Sequence, residues 1–156
     1  YRMTDIQASI GVTQMERAGD IISERQELAK NYNDALKELD FFQLPYENTN
    51  YEHGYQSYPC MFDIKNASLN KIKRVNEKRN MFMDALQKKG VSTRPATHAV
   101  HMLQYYREKY EVIPEDFPNA YIANECSISF PLFNGLTDEE QCFVIKSMKE
   151  GYLNGY

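Results

Sequence analysis

The chain has 156 residues, the size of one ordinary domain, and its 42% hydrophobic content suffices for a single core. A net charge of −4 argues against a nucleic-acid partner, which calls for a basic face. No apolar run is long enough to cross a membrane, and the first residues show no signal-peptide pattern, so neither a membrane nor a secretory role is expected.

Cys60, Cys126 and Cys142 lie far apart with no CxxC pair, so buried free thiols in a reducing cytoplasm are expected rather than a disulfide framework or a zinc site. With 12 tyrosines and no tryptophan, most phenol rings are expected at the edges of the core. Thr4 followed by Gln7 is a capping-box pattern, and Ile6, Ile10 and Met15 predict a first helix with a buried stripe. Gly19-Asp20 marks a break before a second helix over about Asp20 to Leu39. There Ile21, Ile22, Arg25, Leu28, Ala29, Tyr32, Ala35, Leu36 and Leu39 recur at steps of three and four. Phe42 to Tyr51, rich in Pro, Asn and Tyr, reads as a connection.

Tyr55 to Ile64 predicts a strand with Tyr58, Cys60, Phe62 and Ile64 on one face, and Pro59 places it at an edge or at the strand's beginning. Ser68 starts a helix to about Lys89, with Leu69, Ile72, Val75, Phe82, Ala85 and Leu86 inward and Gly90 as the stop. Val91 to Arg94 predicts a short strand and Met102 to Tyr110 a short helix. Asp116 caps a helix over about Phe117 to Glu125, and Ser127 to Phe130 is a further strand ended by Pro131. Thr137 with Glu140 repeats the capping box before a last helix whose buried side carries Val144, Ile145 and Met148. The order implies an α+β domain with a small antiparallel sheet covered by helices. No strand precedes the first two helices, so segment 1–39 is expected to pack against something outside this chain.

Glycine-rich phosphate loops, GxSxG, HExxH and acidic metal clusters are absent from the sequence. The densest polar segment is Arg94, Pro95, Thr97, His98, His101, Gln104, Tyr105 and Tyr106. His98 and His101, three apart, are compatible with a metal on one helical face, with a hydrogen-bonded loop, or with a polar pocket beside Arg94. Arginine grips carboxylate or phosphate through its planar fork, and histidine donates or accepts at neutral pH.

Three runs carry a resemblance. YRMTDIQASIGVTQMER is similar to the segment that opens the smaller domain in the DegT/DnrJ/StrS family of sugar aminotransferases, where N-Y-R-M is followed by I-Q-A-A. GVSTRPATHAVHMLQYYREKY resembles that family's G-I-x-T-R, L/V-H and Y-Y-R pattern, and DFPNAYIANECSISFPLFNGLTDEEQ resembles its D-F-P-x-A, S-L-P-L-F and L-T-D-E-E/D-Q signature. Together, in order, the three blocks span nearly the whole chain.

The resemblance implies the aspartate-aminotransferase fold, with active sites shared across a homodimer interface. It implies a pyridoxal phosphate cofactor, and amino transfer from glutamate to a keto group on a nucleotide-linked sugar in the cytoplasm. It also implies that this chain is the C-terminal small domain. The opening run looks cut within a motif, with the Schiff-base lysine, most of the phosphate cradle and the ring-nitrogen carboxylate expected in a larger N-terminal domain. No residue here matches the catalytic lysine, so the chain alone is expected to be inactive. His101 matches the L/V-H histidine and Arg94 the T-R arginine, both expected near substrate and cofactor. Tyr1 and Arg2 are expected beside the pocket, and His98 falls in a stretch that varies among relatives. Two other outcomes are a dehydratase of the same family that has lost the lysine, and an assembly domain without chemistry.

Overall fold

The structure is a computed structural model that describes residues 2–153, the last two by backbone alone. It is an α+β fold: six α-helices and a three-stranded antiparallel sheet of order β1-β2-β3 among the described residues. The elements are α1 (Asp5–Glu16), α2 (Ala18–Leu36), β1 (Phe42–Gln43), β2 (Tyr58–Phe62), α3 (Ile72–Lys88), α4 (Gln104–Tyr110), α5 (Pro118–Cys126), β3 (Ser127–Phe130) and α6 (Asp138–Leu153). Short 3-10 turns lie at Ile64–Asn66, Val100–Met102 and Pro114–Asp116.

Both expected capping boxes form. The Thr4 hydroxyl accepts the Gln7 N–H while the Gln7 side chain accepts the Thr4 N–H, and Thr137 and Glu140 do the same before α6. The break between α1 and α2 falls at Arg17 rather than at Gly19-Asp20, and the Arg17 N–H closes the end of α1 onto Gln14 and Met15. The stripe expected on α1 is not buried by this chain. Ile6, Ile10 and Met15 are 75%, 60% and 72% exposed, and no residue of α1 is buried.

The expected strand over 55–64 is shorter. Tyr55 and Asp63 both take left-handed backbone conformations and bracket it, and Ile64 turns into a 3-10 segment. Pro59 lies at the beginning of β2, one of the two places expected for it, and is tolerated there although β2 is the central strand. The reason is local: β1 pairs only with Met61 and Phe62, so no neighbour faces the missing N–H of Pro59 on that side. Val91 to Arg94 contributes only a single bridge, Arg94 to Ser129, on the outer edge of β3. Helix α3 starts at Ile72, four residues later than expected, after a turn whose Lys71 N–H is bonded to the Ser68 carbonyl. The helix expected from Met102 divides into the 3-10 turn and α4, and Asp116 caps its own 3-10 turn through the Ile113 N–H while Pro118 opens α5.

The inward face of β2 (Tyr58, Cys60 and Phe62) and the facing Ile128 and Phe130 meet Phe41, Phe42 and Phe82 in one aromatic-rich core. Each fully buried ring contributes about 2–3 kcal/mol through its burial. Helix α3 packs on α5 and α6, and α2 packs on α6. Polar pins set the angle of α2. Tyr32 OH donates to the Pro131 carbonyl at 2.8 Å, and buried Gln141 donates to the Leu28 carbonyl at 2.8 Å. The Arg25 guanidinium spans Asn134 and the carbonyls of Tyr55 and Gln56, each at 3.0 Å. Cys60 and Cys126 are buried thiols as expected, but Cys142 is exposed, because it lies on the outer face of α6.

Candidate functional site

The segment from Arg94 to His101 has little backbone pairing of its own and is held by the junction of α5 and β3. Ser127, 2% exposed, accepts the N–H groups of Ala96 and Thr97 on its hydroxyl at 3.2 Å each. Asn124 accepts the Ala99 N–H at 3.0 Å. Behind the junction lies Arg79, only 5% exposed, which donates to the carbonyls of Asn124 at 3.2 Å and Ser127 at 3.0 Å. Asn76 adds a bond to the Glu125 carbonyl at 3.0 Å. The Asn124 and Glu125 carbonyls are among those a helix leaves unsatisfied at its C-terminus, so α3 side chains cap α5, and Ser127 is the residue that follows it. Burial holds the Arg79 guanidinium below its usual pKa, and nearby Glu125 opposes that shift.

The loop so held turns into the 3-10 segment and opens a cavity of about 590 Å³, within the range of small-molecule sites. His98 and His101 line it with Tyr106 and Tyr110 from α4, and Phe117 and Ala120 from the start of α5. The walls are almost wholly apolar and much of that surface is open: Val100 is 56% exposed, Tyr110 58% and Phe117 51%. Tyr106 and Tyr110, one helical turn apart, stack at 6.3 Å and 11°. The His101 ring lies 5.2 Å from the Phe117 ring, and its Nε2 atom is buried without a hydrogen-bond partner. A buried ring nitrogen with no partner is costly in an apolar wall.

His98 and His101 are therefore brought together, whereas Arg94 stands apart. It is exposed, does not line the cavity, and donates to Ser92 Oγ at 3.2 Å and the Thr93 carbonyl at 2.8 Å. The setting of the two histidines is apolar, unlike the polar pocket beside Arg94 that was one of the three alternatives. Arg2 is exposed at the start of the chain, and Tyr1 lies outside the described residues. Among the described residues no group of three His, Cys, Asp or Glu side chains could hold a metal. Sequence reasoning missed Tyr110, Phe117 and Ala120. The spacing of Tyr106 and Tyr110 carried a signal for a shared helical face, while Phe117 reaches the cavity only through the path of the chain.

A family model for the DegT/DnrJ/EryC1/StrS aminotransferases matches residues 1–149, a span that contains every cavity residue. The chain belongs to this aminotransferase family. An uncharacterized protein of Methanocaldococcus jannaschii is 31% identical over 150 residues, covering 96% of this chain and 37% of that protein. Among solved structures, a protein of Streptococcus pneumoniae assigned as a sugar aminotransferase is 24% identical with a TM-score of 0.83, over 99% of this chain and 36% of its own. An aminotransferase of Helicobacter pylori involved in the biosynthesis of pseudoaminic acid is 18% identical with a TM-score of 0.82, over 99% of this chain and 38% of its own. These two structural likenesses establish the fold. The chain spans little more than a third of the length of each of these relatives.

The S. pneumoniae protein has been solved in apo, pyridoxal phosphate and pyridoxamine phosphate forms. Pyridoxal phosphate requires a lysine amine at its carbonyl and cationic or N–H donors at its phosphate. No lysine or arginine lines this cavity, and Arg94 turns its guanidinium back on the two residues before it. The residues of this cavity do not supply those groups, and no chemical step through the cofactor follows from them.

Proposed function

We propose that these residues form the C-terminal small domain of a pyridoxal-phosphate-dependent aminotransferase that moves an amino group from glutamate to a keto group of a nucleotide-linked sugar. The observation that carries it is the family match running through residues 1–149, and with it the aromatic, histidine-bearing cavity. On this reading the Schiff-base lysine belongs to a larger domain of the complete cytoplasmic protein, which works as a homodimer with shared active sites. The span of about 37% of relatives' lengths supports a missing larger part. On the same reading His101, His98 and the aromatic walls enclose the reacting pair and exclude water, and Arg94, Arg2 and Tyr1 serve anionic groups at the approach.

The test uses the complete protein. It should bind pyridoxal phosphate stoichiometrically, seen as a visible absorbance band. With glutamate and nucleotide-linked keto sugars it should form 2-oxoglutarate, while residues 1–156 alone do neither. A complete protein that binds no cofactor, or residues 1–156 binding it tightly and stoichiometrically, would overturn the reading.

A further inference from the structure

We propose that Asn124 and Ser127 are positioning residues for the candidate site, fixing the 94–101 loop so that His101 stands against the cavity. The proposal rests on reading that cavity as the substrate side of the aminotransferase site. Residues 95–99 form no helix or strand, so their N–H groups have no ladder partners and only side chains or water can accept them. Within four consecutive residues, three N–H groups are accepted by only two side chains: Ala96 and Thr97 by Ser127 Oγ, and Ala99 by Asn124 Oδ1. Ala99, 3% exposed, is thereby pinned two residues before His101.

The two side chains are themselves held from behind. Arg79 Nη1 bonds to the main-chain carbonyls of the same two residues, Asn124 and Ser127, and Asn80 Oδ1 grips the rest of the guanidinium at 2.8 and 3.1 Å. The chain passes from α5 directly into β3 between Cys126 and Ser127, so the junction joins two packed elements. A rigid element is the right support for a loop that must hold one ring nitrogen in a fixed place. The position of His101 against Phe117, with Nε2 buried, is the outcome of that support.

The experiment compares S127A, N124A and N124D/E125Q with wild type in the complete protein by amide hydrogen exchange and by NMR of isotope-labelled histidine. Loss of a typical hydrogen bond speeds exchange about fivefold. S127A should do so at residues 96 and 97, and N124A at residue 99. N124D, made together with E125Q because the Asn124 amide donates to the Glu125 carboxylate at 2.7 Å, keeps the acceptor oxygen and should leave residue 99 protected. In both alanine variants the His101 ring signals should move as the ring shifts relative to Phe117, and in N124D/E125Q they should stay near wild type. Unchanged exchange overturns the proposal, as does faster exchange with His101 signals at their wild-type positions. If S127A does not fold, the contrast between N124A and N124D/E125Q decides alone. Neither readout needs turnover. A wild-type protein without transaminase activity would remove the functional reading, while exchange and ring signals still report on positioning.

Discussion

Arg79 shows how much one side chain can organise. Its stripe, Ile72, Val75, Arg79, Phe82 and Leu86, has the spacing of one helix face, and all five are buried. A cation is tolerated there because carbonyls of the α5–β3 junction and Asn80 satisfy its fork. Replacement by methionine (R79M) leaves those carbonyls without a donor and should cost about 2–4 kcal/mol, read from denaturant unfolding. R79K keeps the charge but not the fork and should fall between R79M and wild type. Gly151 makes the opposite demand. A Cβ there would sit 2.9 Å from the Phe82 ring, which is fully buried and cannot retreat. G151A, ordinarily favourable inside a helix, should instead destabilise by about 1–3 kcal/mol, seen as a lower Tm.

Helix α1 satisfies its own local rules, with a capping box and an acidic first turn, yet buries nothing. The double change I6N/I10N in residues 1–156 should therefore alter stability by no more than about 0.5 kcal/mol in denaturant unfolding. A larger loss would show that α1 packs on the rest of this chain. The tyrosines at the end of β2 behave differently. Tyr32 stacks on Tyr58 at 4.8 Å and Tyr58 on Tyr55 at 6.2 Å, above the Cys60 thiol. Burial is the leading cause that pushes Tyr55 and Cys60 up to about 12 and Cys126 to about 11, and it raises Tyr32 and Tyr58 further.

Unfolded, these thiols and phenols ionise near 9 and 10, so above pH 9 the unfolded chain releases protons that the native chain retains. This contribution to stability is complete below about pH 9 and is lost as the pH rises through 9 to 12. Urea midpoints measured from pH 7 to 11 should stay level and then fall. On the acid side, the Gly135 N–H and the Asn134 amide hold the Glu24 carboxyl below its usual range, so what it contributes persists until the pH falls through that lowered value.

For the protein as an assembly, the cavity beside His101 makes the sharpest claim. If the complete protein is the proposed aminotransferase, H101A should lower its transaminase kcat/KM by about tenfold or more, with Tm little changed. An unaltered rate would exclude His101 from the site. Much of this architecture was legible in the residues: both capping boxes, the helical stripes of α2 and α3, the alternation of Tyr58, Cys60 and Phe62, and strand β3. Each follows from neighbours in sequence, as do the family motifs, which are contiguous runs.

Tertiary structure alone decided the rest. Pro59 sits in a central strand because β1 stops short of it, and Arg79 is buried because carbonyls 45 and 48 residues away receive it. Arg94 parts from His98 and His101 because its guanidinium bonds back to Ser92 and Thr93 while they follow the 3-10 turn into an apolar cavity. Periodicity reports which side of an element is apolar. Which distant group arrives to meet that side depends on how the chain packs, and that information is not local.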